Sequence, residues 1–552
     1  MRKVQMTDKN KEHKTPGQGF LTTIGYGWLR DRNSLIAIPI LASLYLWIAS
    51  RSIYNTDSVA LVMAAQSILH GNVLLKGWVF PVDNFYFIDT ALFVAISSIF
   101  GASLQSAELV ATIEYTVFSA TCLYLLRSGR TRLDVTELLL FGIALIPLGN
   151  SPIIWQVVFS PFHTLSIAIS LWLGWAITGY GSASTYIRRG DVIRRLLSAG
   201  IVGLFVFSDP LIITVCIIPI IIIAELERYR SRGPRSMSAA ALDVASIAVI
   251  ILTVIGLRML FRIDGFQTAG VDLHLATVHE MAKNAINIIC DFGDYFVVLG
   301  ARNWMGKILV GSVTGLALII VPVLSLRARE NGGHNEARKD AYFNGFLWLA
   351  GIIQILACLT SRQYYWALAG GNPWSSTNAA RYLFPCFAFF SLLNLRILRA
   401  KLDQLQSWPL IPLCLALIVI VYHIQSLAAY ALHPNDNEQW RRAVRVMRGA
   451  GLSCGYGPYW ASYMFDIVSR EKLRVVPVSV SSTGHIVRRV WNANKRWYSQ
   501  PTCSANFIVR SIRPKAGNVT SAEIKRTFGL AAERVRANGY MIYVFKKPIR
   551  VK

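Results

Sequence analysis

The chain has 552 residues, of which 54% are hydrophobic and 16% charged, and its mean hydropathy is +0.43. These values are typical of a polytopic membrane protein and exclude a soluble globular or disordered chain. The formal net charge of +26 would suggest a polyanionic partner for a soluble protein, but here it must first be divided between the two sides of a bilayer. We therefore expect the lipid bilayer, and no nucleic acid, as a partner.

Residues 1–32 form a polar tail with seven Lys and Arg, and the long apolar run that follows lacks a cleavage site for a signal peptide. From residue 33 to residue 431, apolar runs alternate with polar loops. We predict about eleven transmembrane helices, over residues 33–50, 107–126, 134–150, 162–178, 196–208, 210–225, 239–261, 305–326, 342–360, 381–398 and 408–430. The fold class predicted for this region is an all-α polytopic membrane domain.

The apolar run 85–101 leaves two topologies open. If it crosses the bilayer, Arg127, Arg130 and Arg132 fall outside, and if it lies along the outer interface as an amphipathic segment, they fall inside. The positive-inside rule favours the second topology, in which six cytoplasmic segments hold 25 Lys and Arg and five outer loops hold 7. We therefore expect a bacterial inner membrane protein with a cytoplasmic N-terminus and a periplasmic C-terminus.

The first outer loop, residues 51–106, contains most of the candidate catalytic residues. Asn55-Thr56-Asp57-Ser58 directly follows a membrane exit, and the loop continues through Trp78, Asp83 and Asp89. Asp57 can cap the helix behind it, because a carboxylate accepts hydrogen bonds from the free amides of a first turn. It can equally act as a base next to a lipid-borne substrate, with Trp78 as a substrate contact.

The other two outer loops are residues 262–304 and 361–380. In the first, His274 and His279 are five residues apart, off the i,i+4 spacing that places two ligands on one helix face, so we expect no metal site. Arg302, Arg362 and Arg381 lie in or beside these loops. Arginine binds phosphate oxygens through two parallel hydrogen bonds and keeps its charge, so these three are candidates for binding a phosphate.

Residues 432–552 form a predicted small α/β domain outside the membrane, with 22 Lys and Arg against 6 Asp and Glu. Predicted strands at 474–480, 506–512 and 540–545 alternate with predicted helices at 436–449 and 521–537. Cys454 and Cys503 can pair if this domain is extracytoplasmic. None of the eight cysteines shows the spacing of a zinc site.

Several of these stretches resemble GT-C glycosyltransferases, which are multi-spanning enzymes, such as mannosyl- and aminoarabinose transferases, that use polyprenyl-phosphate-linked sugars. The similar stretches are Asn55-Thr56-Asp57-Ser58 with the Ala-rich helix to Gly71-Asn72, Asn84-Phe85-Tyr86-Phe87 with the run to Phe100-Gly101, and Arg381-Tyr382-Leu383-Phe384-Pro385, which is similar to an Arg-Tyr-x-x-Pro element. The resemblance implies that Asp57 is the catalytic base and that Arg381 contacts the carrier phosphate. Ser58 stands where many members have a second acid, so Asp83 or Asp89 is expected to share the role.

The resulting hypothesis is an inverting hexosyl- or pentosyltransferase that moves a sugar from a polyprenyl-phosphate donor to an envelope glycan, lipid or protein. Asp57 would deprotonate the acceptor hydroxyl, and Arg381, with Tyr382 beside it and Arg302 or Arg362, would stabilise the departing phosphate. No metal or other cofactor is required, because arginine can neutralise the leaving group. Two alternatives stay open: a flippase for a lipid-linked glycan, and a family member that binds without catalysis.

Overall fold

The computed structural model describes residues 31–51, 54, 56–127, 133–145, 163–180, 189–231, 237–269, 274–295, 304–328, 335–362, 364, 377–404, 414, 417, 421, 437–499, 504–512 and 518–551. Within these ranges the chain forms a helical bundle up to residue 404 and an α/β domain from residue 437. The mostly helical membrane region and the small C-terminal domain that the sequence predicts are therefore both present.

The bundle consists of thirteen described α-helices, two short strands and two single π-helical turns. In chain order these are α1 (Arg32–Arg51), α2 (Thr56–Leu69), β1 (Trp78–Phe80), the turn Tyr86–Thr90, α3 (Ala91–Phe100), α4 (Leu104–Leu126), α5 (Val135–Leu145), α6 (Thr164–Tyr180), α7 (Arg189–Ser208), the turn Ile213–Ile217, α8 (Ile218–Ser231), α9 (Met237–Asp264), β2 (Gln267–Thr268), α10 (Val278–Tyr295), α11 (Trp304–Ala328), α12 (Asn335–Thr360) and α13 (Thr377–Gln404).

Five of these helices contain a stretch that is long and apolar enough to cross a bilayer. The stretches are Asn33–Arg51, Leu104–Leu126, Ala241–Asp264, Asp340–Thr360 and Arg381–Leu402. The predicted span 408–430 lies almost entirely outside the described residues, so the count of about eleven spans stays a prediction. The run 85–101 forms a π turn followed by α3, whose ten residues are too few to cross a bilayer.

Charged side chains mark one end of the bundle. Arg127, at the end of α4, lies 3.6 Å from the carboxylate of Asp31, just before α1. Arg396, late in α13, donates to Asp340 near the start of α12 at 2.8 Å. The end of α1 and the starts of α4 and α13 therefore lie at the other end, which we call the site end because Asp57 lies there.

The C-terminal domain is a six-stranded sheet between two helical layers. Its elements are α14 (Asn437–Gly449), β3 (Cys454–Pro458), α15 (Tyr459–Val468), β4 (Arg474–Val480), β5 (Ile486–Arg488), β6 (Ala493–Asn494), the 3₁₀ turn Lys495–Tyr498, β7 (Phe507–Ser511), α16 (Ser521–Phe528), β8 (Glu533–Ala537) and β9 (Tyr540–Val544). The strand order is β5-β4-β3-β7-β9-β8, with β3 parallel to β4 and β7 and the other pairs antiparallel.

Alternating apolar residues along the strands build a core on each face of this sheet. Val475, Val509 and Ile542 pack on the side of α14 and α15, whereas the residues next to them, such as Val476 and Ile508, pack on the side of α16. The nearly continuous apolar runs in these strands are thus explained by burial on both faces. The predicted strands and the helix at 436–449 are confirmed.

The predicted helix 521–537 is wrong in its second half. A capping box at Thr520 and Glu523 starts α16 as expected, but the helix ends at Phe528, because Gly529 takes a left-handed φ of 83°. Residues 533–537 instead form the edge strand β8, paired antiparallel with β9.

The domain is joined to the first outer loop by a second, three-stranded sheet in the order β2-β1-β6. In it, β1 pairs with β2 of the bundle and with β6 of the C-terminal domain. Gly77, with φ of 90°, permits this close approach, since a Cβ there would lie 2.8 Å from the Asn494 side chain. The C-terminal domain therefore rests directly on the loop that carries the predicted base.

Candidate active site

Asp57 lies in the first turn of α2, where the partial positive charge of the helix N-terminus stabilises a carboxylate. The helix begins at Thr56, so Asp57 is inside the helix and does not occupy the preceding capping position. Its Oδ1 atom accepts a hydrogen bond from the hydroxyl of Tyr459, at the start of α15. The half-buried carboxylate is therefore oriented by a residue of the C-terminal domain.

Two further hydrogen bonds hold Tyr459, one from the bundle and one from within the C-terminal domain. The hydroxyl of Thr56 donates to the Tyr459 carbonyl oxygen, and the Asn492 side-chain amide donates to the Tyr459 hydroxyl at 3.2 Å. Burial first, and then the neighbouring Asp57 carboxylate, raise the pKa of Tyr459 well above its ordinary value. The hydroxyl therefore keeps its proton and acts as the donor to Asp57.

Arg381 lies opposite these groups, near the beginning of α13. Its guanidinium donates to the Tyr382 hydroxyl at 3.0 Å and stacks 4.8 Å above the centre of that ring. The carboxylates of Asp57 and Asp83 both interact electrostatically with Arg381. The structure thus brings together four predicted site residues: Asp57, Asp83, Arg381 and Tyr382.

Asp83 belongs to a row of interacting ionisable side chains that sequence analysis did not predict. His163 donates through Nδ1 to Asp209, or accepts from it, at 2.7 Å, and its Nε2 lies 3.9 Å from Asp83. Burial first, and then the Asp209 carboxylate, raise the pKa of Asp83, while His163 and Arg381 act in the opposite direction. The ring of Tyr382 lies 6.2 Å from that of His163. Tyr382 therefore connects this row of side chains to Arg381.

Asp89, the other candidate for a second acid, lies in the interior and is 1% exposed. Its closest charged neighbour is Glu114 on α4, which is equally buried. A base must reach the proton of an acceptor hydroxyl, and an enclosed carboxylate is poorly placed for that. The structure therefore favours Asp83 over Asp89 as the second carboxylate of the site.

Of the three other predicted substrate contacts, the two that the structure describes lie elsewhere. Trp78 is fully buried in β1, where it stacks on Phe80, so it belongs to the apolar core and not to a sugar-binding surface. The Arg362 guanidinium lies 3.4 Å from Glu280 on α10, so Arg362 forms an ion pair with a residue of the outer loop 262–304. Arg302 lies outside the described residues.

Cys454, at the start of β3, is disulfide-bonded. Six of the described cysteines form no disulfide: Cys122, Cys216, Cys290, Cys358, Cys386 and Cys414. Cys503, the expected partner of Cys454, lies outside the described ranges. A disulfide is typical of an extracytoplasmic domain.

The sequence contains only weak signals for the site residues that sequence analysis missed. His163 and Asp209 each stand at the edge of an apolar run, where an ionisable residue is costly and so frequently functional. Tyr459 is one of many aromatic residues and lies 402 positions from Asp57. Only the docking of the C-terminal domain brings it to the base.

The site can perform proton abstraction beside a bound anion. Asp57 is a half-buried carboxylate held by a neutral donor, and Arg381 is a planar cation facing it. In the described part of the chain, no three His, Cys, Asp or Glu side chains are arranged as metal ligands. Asp57 and Arg381 support acid–base chemistry with charge stabilisation by arginine.

No family model and no curated protein sequence matches the chain. Among solved structures, apo ArnT from Cupriavidus metallidurans aligns with 95% of this chain and 98% of its own, at 10% identity and a TM-score of 0.40. ArnT bound to undecaprenyl phosphate aligns with 92% and 97%, at 9% identity and 0.41. The Archaeoglobus fulgidus oligosaccharyltransferase, in complex with Zn and sulfate, aligns with 86% and 68%, at 13% identity and 0.48.

These identities and TM-scores are low, so the alignments carry no argument about the chemistry of the site, and the resemblance to GT-C glycosyltransferases rests on the motifs around Asp57 and Arg381.

Proposed function

We propose that this chain is a membrane glycosyltransferase that moves a sugar from a polyprenyl-phosphate-linked donor to an envelope acceptor. The observation that carries the proposal is that Asp57 and Arg381 lie at the same end of the bundle, near enough for the carboxylate to interact electrostatically with the guanidinium. Asp57 follows the bilayer-crossing stretch Asn33–Arg51 by six residues, and Arg381 is the first residue of the stretch Arg381–Leu402. A lipid-borne phosphate and its sugar arrive at this level of the membrane.

In the proposed reaction an acceptor hydroxyl attacks the anomeric carbon of the donor sugar. Asp57 takes the hydroxyl proton as the new C–O bond forms, and the bond between the anomeric carbon and the phosphate oxygen breaks. The departing polyprenyl phosphate keeps the bonding electrons, and Arg381 stabilises its charge. Direct displacement by the acceptor inverts the anomeric configuration.

The surrounding residues have positioning roles in this proposal. Tyr459 and Asn492 hold the Asp57 carboxylate toward the acceptor, and Tyr382 holds the guanidinium of Arg381. Asp83 balances the charge of Arg381 and links it to His163 and Asp209. The domain that supplies Tyr459 would be periplasmic, so transfer would occur on the outer face of the inner membrane.

The test is release of polyprenyl phosphate by the full-length protein in nanodiscs, supplied with a panel of synthetic polyprenyl-phosphate-linked hexoses and pentoses and an envelope extract as acceptor. We expect Asp57→Asn to slow release by about a hundredfold or more, because a general base contributes ~10²–10⁴ in rate. The matched control is Asp264→Asn, which changes an exposed carboxylate paired with Lys76.

Full activity in Asp57→Asn would remove Asp57 as the base and direct attention to Asp83. A wild-type protein that moves lipid-linked sugar across the bilayer without releasing polyprenyl phosphate would instead be a flippase. In that case Asp57→Asn would leave lipid movement unchanged.

A further inference from the structure

The exposed face of α14 carries a row of cations above the site end of the bundle. Arg441, Arg445 and Arg448 recur at helical spacing on this face, while the other face packs on the sheet. A cavity of about 620 Å³ runs along the row and is also lined by Arg470 and Lys472. We call these five residues the basic groove.

A second cavity, of about 410 Å³, shares Arg441 with the basic groove and opens at the site end. Its other walls are formed by Trp47, Ser50 and Arg51 at the end of α1 and by Leu104, Gln105 and Glu108 at the start of α4. Both helices contain bilayer-crossing stretches, so these helix ends mark the level of the lipid headgroups.

The chemistry of the second cavity is that of a membrane interface. The Arg51 guanidinium lies 5.2 Å from the centre of the Trp47 ring, and Trp with a nearby basic residue is typical of headgroup level. Ile99 and Phe100, just before α4, are 73% and 52% exposed. Large apolar side chains are stabilised at this depth by contact with acyl chains, which places lipid beside the opening.

Two carboxylates face the groove. Glu438 pairs with Arg445 at 2.8 Å and lies 4.0 Å from Arg441, and Glu108 interacts with Arg441 from the side of α4. Five cations in the groove and Arg51 beside it outnumber these two negative charges. The groove therefore keeps a positive potential directly above the headgroup level.

We propose that the basic groove binds the phosphate headgroups of anionic phospholipids in the leaflet at the site end. Arg441 and Arg51 would hold a headgroup whose acyl chains lie against Trp47 and Leu104, since guanidinium groups match phosphate oxygens in geometry. The remaining cations of the groove would attract further headgroups. Such binding would seat the C-terminal domain on the membrane, and so keep Tyr459 on Asp57.

A soluble polyanion is the other ligand with this charge. It would contact the cations, but it has no apolar part that could pack against the apolar wall of the second cavity. The wall and the exposed Ile99 and Phe100 therefore favour lipid.

The test is native mass spectrometry of the full-length protein in detergent, titrated with phosphatidylglycerol or with phosphatidylcholine of the same acyl chains. We expect the wild type to prefer phosphatidylglycerol, and Arg441→Glu with Arg448→Glu to weaken that binding by about tenfold or more, since each basic residue near a membrane surface strengthens the attraction to anionic lipid. The control is Lys546→Glu with Lys547→Glu, an equal charge change at exposed positions after β9.

Arg441→Gln with Arg448→Gln is the second variant if charge reversal impairs folding, and it should also lose the preference. A wild type that binds both lipids equally, or a control pair that loses as much as the groove pair, would overturn the proposal. Binding of a heparin oligosaccharide that displaces phosphatidylglycerol at lower concentration would assign the groove to a soluble polyanion. None of these outcomes depends on sugar transfer, so the proposed function is tested separately.

Discussion

At the scale of single residues, Arg381 poses a choice between a membrane anchor and a phosphate ligand. A basic residue at the start of a span commonly extends its charge to the headgroups. Arg381 instead stacks on the Tyr382 ring and interacts with Asp57 and Asp83. A planar guanidinium held between an aromatic face and two carboxylates is oriented toward the site.

Replacing Arg381 by Lys distinguishes the two roles. Lysine anchors equally well but lacks the planar geometry that forms two parallel hydrogen bonds with phosphate. Loss of one charge-assisted hydrogen bond costs about 1.5–3 kcal/mol, which is roughly ten- to a hundredfold in rate. We expect Arg381→Lys to insert normally and to release polyprenyl phosphate at least about tenfold more slowly, whereas Arg262→Lys, at an exposed arginine of α9, stays at the wild-type rate. Equal rates in the two variants would make Arg381 an anchor.

Tyr459 links the domain to the base through one hydroxyl group. Phenylalanine at this position keeps the ring and removes the hydrogen bond to Asp57. We expect Tyr459→Phe to lower turnover by about tenfold, because a hydrogen bond to a charged group contributes about 1.5–3 kcal/mol. Turnover at saturating donor is the measurement.

Tyr463→Phe is the matched control for Tyr459→Phe. Tyr463 lies on α15, as Tyr459 does. Its hydroxyl donates to the Asn492 carbonyl oxygen at 2.6 Å and not to Asp57. A similar loss of turnover in both variants would mean that the hydroxyls only stabilise the domain.

Asp83 determines the expected pH dependence. Burial is the main cause of its raised pKa. A carboxyl group with a raised pKa takes up its proton earlier as the pH falls, so the charge facing Arg381 is present above that pKa and is lost below it. We expect the transfer rate to be constant at high pH and to decline on the acid side, beginning at a higher pH than an ordinary aspartate would cause.

The measurement is the pH–rate profile of the wild type and of Asp83→Asn. Asparagine is neutral at every pH, so this variant should be slow at neutral pH and should lack the decline that begins at the raised pH. An acid decline at the same pH in both proteins would assign it to another group.

At the scale of elements, the local sequence pattern predicts those strands and helices that are determined by burial of their own residues and by flanking turns. Strand β4 has the predicted bounds because both of its faces are apolar and turns flank it. Strand β8 does not, because Glu533–Ala537 is polar and mostly exposed and forms a strand only through its pairing with β9. Tertiary pairing thus overrides local helix propensity.

The three-stranded sheet of β2, β1 and β6 could not be predicted from the sequence for the same reason. Strands β1, β2 and β6 have two or three residues each, too few for a period to be visible. They pair residues from three distant parts of the chain. The bundle and the domain could be predicted separately, and the family resemblance indicated Asp57 and Arg381 as candidate site residues. Tyr459, His163 and Asp209 could be found only from the contacts between elements.

At the scale of the whole molecule, charge is divided between two ends. Asp31, Arg127, Asp340 and Arg396, which the predicted topology places on the cytoplasmic side, lie at one end. Asp57, Arg381 and the C-terminal domain lie at the other. The relative sides therefore agree with the predicted topology, whereas the side that faces the periplasm follows from the positive-inside rule alone.

Reporter fusions decide the absolute orientation. With 25 Lys and Arg in the predicted cytoplasmic segments against 7 in the outer loops, insertion in the opposite sense is strongly disfavoured. We expect alkaline phosphatase fused after Lys552 to be active, because it requires an oxidising compartment, and the same reporter fused after Ser128 to be inactive. Cys454 offers an independent check, since its disulfide should block alkylation in intact cells until a reductant is added. An inactive fusion at Lys552 with a freely alkylated Cys454 would place the site in the cytoplasm, where a donor and acceptor of the envelope would not meet it, and the proposed reaction would then have to be abandoned.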